Sequence, residues 1–373
     1  MQSQWKLPSL TIVVGLLAGA SPAMAETHPL GSQTPAVTER DGEHDFDFIF
    51  GRWKVHLKRR VASADGAGTW SEFDGYSVYR KVWDGRANLN EFEADSPSGH
   101  IEGLTLRTYN AKTRQWSLYW ASSRDGILAE PQVGRFHDGV GEFYAQDKID
   151  DKSVFVRYVW SKPGPNAVHF EQAFSDDGGK SWDVNWVSDM VRESGSAADI
   201  PPAGEARKDG TPSAAPDGQH DFDPLLGSWN YHLRRRLNPL TGSTNWVDLN
   251  GSGACYKLWD ARAQLDTIVV NGASGRLEGL TLRLYNPKSH EWRLYWANSK
   301  DGVVVTPQIG RFKNGHGEFY AQDTLNDRSI LVKFDWTGLA SASPHFEQSF
   351  SDDGGKTWEV NWITDQTRQA PAR

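Results

Sequence analysis

The sequence predicts an all-β protein of two tandem antiparallel up-and-down β-barrels joined by a flexible linker. Three observations predict it. Aromatic residues are dense, with 17 Trp, 16 Phe and 11 Tyr in 373 residues. That composition suits strands with large buried side chains better than a helical bundle. Apolar and polar residues alternate at period two, as in Trp53-Val55-Leu57 against Lys54-His56-Lys58, the pattern of a strand with one buried face. The chain also repeats itself. His44-Asp45-Phe46-Asp47 recurs as His220-Asp221-Phe222-Asp223, and the same offset of 176 pairs Trp53 with Trp229, Trp116 with Trp292 and Trp186 with Trp362. A repeat this long is a duplicated domain.

The elements follow in chain order. Residues 1–25 read as a signal peptide: Lys6 gives a positive start, Leu10 to Ala20 an apolar run, and Ala23-Met24-Ala25 a small-x-small cleavage site. The expectation is a periplasmic or secreted protein, soluble after cleavage following Ala25. The apolar run is too short to span a bilayer, and no other stretch approaches that length. Residues 26–40 read as a disordered N-terminal arm, 41–192 as the first barrel, 193–216 as a linker rich in Ala, Pro, Gly and Ser, and 217–368 as the second barrel.

Within a copy, Trp116-Leu118-Trp120, Val154-Val156-Tyr158-Trp160 and Phe170-Gln172-Phe174 repeat the alternation. Asp84-Gly85, Asp125-Gly126 and Asp177-Gly178-Gly179 punctuate it as turns. This gives eight to ten strands per copy, with a short helical turn near Phe46 to Phe50. Closure is expected because no strand is marked as an edge by Lys or Pro. Cys255 is the one cysteine, so no intramolecular disulfide forms. The net charge of −8 argues against nucleic acid or anionic lipid as a partner. Lys58-Arg59-Arg60 and Arg234-Arg235-Arg236 read as solvated strand ends.

Gly51-Arg52-Trp53 and Gly227-Ser228-Trp229 open the first strand of each copy, and Arg192 and Arg368 close the last. This resembles the lipocalin and calycin barrels, in which such an Arg packs over such a Trp at the closed end. With Ser175-Asp176-Asp177-Gly178-Gly179-Lys180-Ser181-Trp182, each copy is similar to a bacterial lipocalin-like domain of unknown function. The resemblance implies a barrel with a pocket and brings no settled activity. The Ser175 to Trp182 stretch also resembles the Asp-box hairpin of sialidase-type propellers. One such hairpin per copy is too few for a propeller, so it is expected to serve the fold.

The candidate ligand-binding residues are Arg107, Trp116, Trp120, Tyr144 and Trp160, with Arg283, Trp292, Trp296, Tyr320 and Trp336 as their counterparts. Arg107 lies opposite Leu104 and Leu106 on its strand, with Glu102 on the leucine side. Whether its guanidinium points in, to meet a carboxylate or phosphate, or out to solvent is left open. His169 and Glu171, repeated as His345 and Glu347, could ligate a metal or move a proton if they pointed in. The alternation with Phe170, Gln172 and Phe174 favours the outer face. A haem would need an inward His, and His169 is the one candidate; no metal or other cofactor is expected. No nucleophile elbow, phosphate loop or dinucleotide fingerprint is present.

The leading expectation is an exported binding protein that holds a small, mostly hydrophobic molecule in an aromatic-lined cavity. The alternatives are an isomerase, cyclase or lyase acting on a hydrophobic small molecule, and a structural module with filled barrels.

Overall fold

The computed structural model describes residues 41–61, 68–149, 151–193 and 217–369. The expected signal peptide, the N-terminal arm and most of the linker lie outside these residues. Two closed antiparallel barrels follow one another, each a ten-stranded meander. The first is built from β1 (Gly51–Val61), β2 (Thr69–Val82), β3 (Ala87–Ser96), β4 (Gly99–Asn110), β5 (Gln115–Ser122), β6 (Gln132–His137), β7 (Val140–Ile149), β8 (Lys152–Gly164), β9 (Ala167–Ser175) and β10 (Asp183–Arg192). The second repeats it as β11 (Gly227–Arg236), β12 (Trp246–Leu258), β13 (Ala263–Gly272), β14 (Gly275–Asn286), β15 (Glu291–Asn298), β16 (Gln308–Lys313), β17 (His316–Leu325), β18 (Arg328–Thr337), β19 (His345–Ser351) and β20 (Glu359–Arg368). Pairing of β1 with β10 and of β11 with β20 closes each cylinder, so neither barrel leaves a strand edge unpaired. No helix of the described residues is long and apolar enough to cross a membrane.

The period-two pattern decides which face each strand turns inward. In β1, Trp53, Val55 and Leu57 are buried while Arg52, Lys54 and His56 are exposed. Short 3-10 turns enter each barrel at Asp47–Ile49 and Asp223–Leu225. The Asp-box stretch is a hairpin tip, as expected. Asp177 accepts hydrogen bonds from the Lys180 and Ser181 amides at 2.9 and 3.0 Å and from the Ser175 and Ser181 hydroxyls. These donors hold its carboxyl down at about 2, the Ser181 amide contributing most.

The sequence reading did not anticipate how the copies meet. β4 is buried from Gly103 to Tyr109 without interruption, because its outer face is covered as well as its inner one. Leu104 and Leu106 belong to a third apolar core that the two barrels share. It takes nine buried residues from each barrel, among them Leu89, Tyr119 and Ala121 with their counterparts Leu265, Tyr295 and Ala297. Polar contacts frame this core. Arg86 donates to Glu278 at 2.7 Å, and Arg262 pairs with Glu102. Thr108 Oγ1 donates to the Gly302 carbonyl at 2.5 Å, and the Leu128 amide to the Tyr295 hydroxyl at 3.0 Å. Gly126 and Gly302 have φ of +59° and +62° and lie against the carbonyls of Tyr285 and Tyr109, where a Cβ would sit within 2.3 Å of oxygen. Both features require glycine. The contact is thus isologous: one patch meets its own duplicate across a pseudo-two-fold axis.

Candidate functional site

Each barrel is plugged at one end. Trp53 donates its indole N–H to the Ile49 carbonyl at 2.6 Å, and the Arg192 guanidinium lies 4.2 Å over its ring. Arg192 also donates to the carbonyls of Phe48 and Phe50, both at 2.5 Å, so one side chain ties the last strand to the entry turn. Phe46 sits beneath, edge-on to Trp116 at 5.1 Å and Phe136 at 4.9 Å and stacked on Phe143 at 5.7 Å. In the second barrel Arg368 covers Trp229 at 4.3 Å, and Phe222 fills the centre.

Above the plug the first barrel is hollow. A cavity of about 540 Å³ lies between the plug and a rim that carries Arg59, Arg60 and Arg124. Its walls are aromatic: Phe170 packs on Trp160 at 4.7 Å and on Tyr158 at 5.1 Å. Trp120 lies flat on Gly103, where a Cβ would come within 2.1 Å of the indole. At the rim the Arg59 guanidinium sits 5.5 Å over Trp186, and Arg60 pairs with Asp183.

Arg107 forms part of the cavity floor. It is 1% exposed, with its guanidinium over the rings of Trp160, Tyr79 and Phe46 at 4.9, 5.2 and 5.3 Å. Its Nη1 donates to the side-chain oxygens of Asn88 at 3.1 Å and Asn90 at 3.3 Å. Its Nε has no partner. Burial lowers its pKa from the ordinary arginine value. Among the described residues that line this cavity there is no carboxylate and no histidine.

The second barrel holds a cavity of about 510 Å³ with Arg283, Trp296 and Trp336 in its wall. Its floor is built differently. Arg283 donates to Asp266 at 2.6 Å, and Asp266 also accepts from the Tyr231 hydroxyl at 3.1 Å. Burial would lower this arginine, and the adjacent Asp266 carboxylate together with Cys255 and Tyr231 outweighs it, so its pKa is raised. Cys255 stands where the first copy has Tyr79, and burial pushes its thiol up to about 12.

The structure brings Arg107, Trp120 and Trp160 together around one cavity, and Arg283, Trp296 and Trp336 around the other. It separates the remaining candidates from them. Trp116 and Trp292 do not line the cavities: their N–H groups reach the Gly42 and Gly218 carbonyls, both at 2.9 Å, and they belong to the plugs. Tyr144 and Tyr320 lie on the outer wall, 43% and 45% exposed. The alternation that turns Phe143 and Phe319 inward turns them out. There they donate to Glu142 and Glu318 and pack on Trp182 and Trp358.

His169 is also on the outside, bridging Asp189 at 2.7 Å and Glu171 at 3.0 Å, and His345 repeats this with Asp365 and Glu347. Neither ring reaches a cavity to ligate a haem. His316, Glu318 and Asp335 bring their ligand atoms within 4.8 Å of one another on the outer face of the second barrel. They already hydrogen-bond locally, His316 to Asp335 at 2.5 Å. The sequence missed Asn88, Asn90 and Asp266 as floor residues. The signal lay in the repeat itself, since aligning the copies sets Asn90 against Asp266.

No family model matches the chain, and no curated protein matches it. Among solved structures it is similar to an S-type phycobiliprotein lyase from Guillardia theta, at 14% identity and a TM-score of 0.31, over 42% of this chain and 95% of that one. A DUF3598 family protein of unknown function from Nostoc punctiforme matches at 9% identity and a TM-score of 0.23, over 89% and 100%. A de novo fluorescence-activating β-barrel matches at 12% and 0.23, over 40% and 98%.

Proposed function

We propose that the protein is an exported binding protein, periplasmic or secreted, whose barrels each hold a small, mostly apolar molecule. The observation that carries this reading is the hollow above each plug. A filled structural barrel would bring its aromatic rings into contact across the axis. Here Trp120, Trp160, Phe170 and Trp186 line a volume of about 540 Å³, inside the range of roughly 300–1,000 Å³ usual for small-molecule pockets. Polar groups set among these rings, Arg107 foremost, would orient the molecule. Export rests on the Lys6, Leu10 to Ala20 and Ala23 to Ala25 pattern.

The test is titration of the protein with an apolar fluorescent probe while tryptophan emission is followed. Saturable uptake with quenching is expected. Thr105→Phe with Thr281→Phe, which drives a ring into each hollow, should abolish uptake with the fold retained. Absence of saturable uptake by the unaltered protein would favour a structural barrel. Mass spectrometry of the exported protein should find an N-terminus at Glu26.

A further inference from the structure

We propose that the two barrels are specialised for ligands of different charge: the first for an amphiphile with a carboxylate head, the second for a neutral molecule of similar bulk. This rests on the reading of both hollows as binding sites and adds the class of ligand to each.

The carrying observation is the rebuilding of one floor relative to the other. In the first barrel a buried guanidinium faces a cavity with neutral neighbours, the Asn88 and Asn90 side-chain oxygens and the Tyr79 hydroxyl, and no carboxylate in its described lining. A buried cation without a counter-charge is costly, and a ligand carboxylate would supply the missing charge. Arginine's planar fork suits that geometry. In the second barrel Asp266 already occupies the counter-ion position. A second carboxylate arriving there would meet a like charge in a low-dielectric floor, so that site favours a neutral head.

Asp266 did not change alone. Its Tyr231 partner stands where the first copy has Val55, while Cys255 replaces Tyr79, so the tyrosine has moved from the second strand of the barrel to the first at nearly constant volume. Gly253 replaces Ser77; a Cβ there would meet the Thr267 carbonyl oxygen at 1.8 Å before the Tyr231 ring at 2.9 Å. Three of the changes interlock: the new tyrosine takes the space of the vacated one, and its hydroxyl holds the new carboxylate. The plug arginine and its tryptophan, by contrast, are the same in both copies. The atoms a ligand head would touch have thus changed while the plug pair has not.

The mouths do not separate the two sites. Arg59 and Arg60 border the first cavity and Arg235 and Arg236 the second, with Arg60 paired to Asp183 and Arg236 to Glu359. The difference in charge lies at the floors.

The experiment uses the intact protein and two probes of equal apolar bulk, pyrenebutyrate and pyrenebutanol. The unaltered chain should show one strong carboxylate site, which Arg107→Met removes, and an alcohol site that survives that change. Asn90→Asp writes the second floor's charge into the first barrel and should weaken the carboxylate site about tenfold or more, leaving alcohol uptake in place. Asp266→Asn should create a second carboxylate site. It provides an independent arm should Asn90→Asp perturb folding, which near-UV circular dichroism reads. If both probes bind and neither Asn90→Asp nor Asp266→Asn changes their ratio, the charge assignment is overturned and the binding function stands. If neither probe binds saturably, the binding function falls and takes the assignment with it.

Discussion

Arg86 of the first barrel meets Glu278 of the second at 2.7 Å, and the duplication returns the same pair with the barrels exchanged, Arg262 on Glu102. Between these two pairs lies the shared leucine core. Each barrel has its own plug and its own closed sheet, so each half can fold. A separated half, however, would carry an uncovered apolar face.

Residues 41–193 and 217–369, expressed separately, should therefore each form a homodimer through that face, visible by sedimentation, and should form a heterodimer when mixed. Leu104→Asp with Leu106→Asp should leave the first half monomeric. In the intact chain Leu282→Ala should cost about 2–5 kcal/mol, as for a leucine in any close-packed core. A monomeric, fully soluble unaltered half would contradict this account of the interface.

The plug supplies the second prediction. Arg192→Ala and Arg368→Ala remove a guanidinium stacked on tryptophan and bonded to two carbonyls. Each should lower stability in urea unfolding by about 1–3 kcal/mol. Lysine at these positions should recover only part of the loss, because it cannot reach both carbonyls while covering the ring.

The outer histidines give a pH dependence with a definite sign. Burial lowers the pKa of His169, and its hydrogen bonds to Asp189 and Glu171 outweigh that, so the native value lies above the ordinary 6.5. His345 behaves alike with Asp365 and Glu347. A raised native pKa means that the stabilisation is complete below about 6.5 and disappears as pH climbs through the native value. The contribution should be under about 1 kcal/mol per site, given partial exposure to solvent. His169→Gln with His345→Gln should flatten urea stability across this interval and leave probe uptake unchanged, since both rings lie outside the barrels. A loss of uptake in that variant would place the histidines in the binding machinery.

Cys255 should be inert in the folded protein. Its thiol is buried against Arg283 and Gln264 and held at about 12, so little thiolate exists at neutral pH. Alkylation should proceed only at the rate of unfolding and become rapid in urea. Prompt reaction under native conditions would mean that the second floor is open to reagent.

The barrels were legible because a strand with one wet face writes its orientation into the sequence: Lys54 and His56 mark the outside of β1 as clearly as Trp53 and Val55 mark the inside. β4 carries no such mark. Leu104 and Leu106 face a partner barrel and Arg107 faces a hollow, so the usual polarity is inverted and the direction of the arginine could not be read. Trp116 and Trp120 share a face, and alternation alone does not say how far along the axis each lies. One became plug and the other wall. The interface left a single trace, an outer face as apolar as a core, which is visible only once the barrel is known to be closed.

A self-complementary patch is how two identical chains associate, and here it joins two unequal halves of one chain. In a homodimer a single gene writes both subunits, so every substitution arrives twice and the two pockets stay alike. Placing two copies in tandem removes that constraint while keeping a self-complementary contact. Asn90 and Asp266 are then separate letters, each free to change alone, and two halves joined as near-equals can divide their labour.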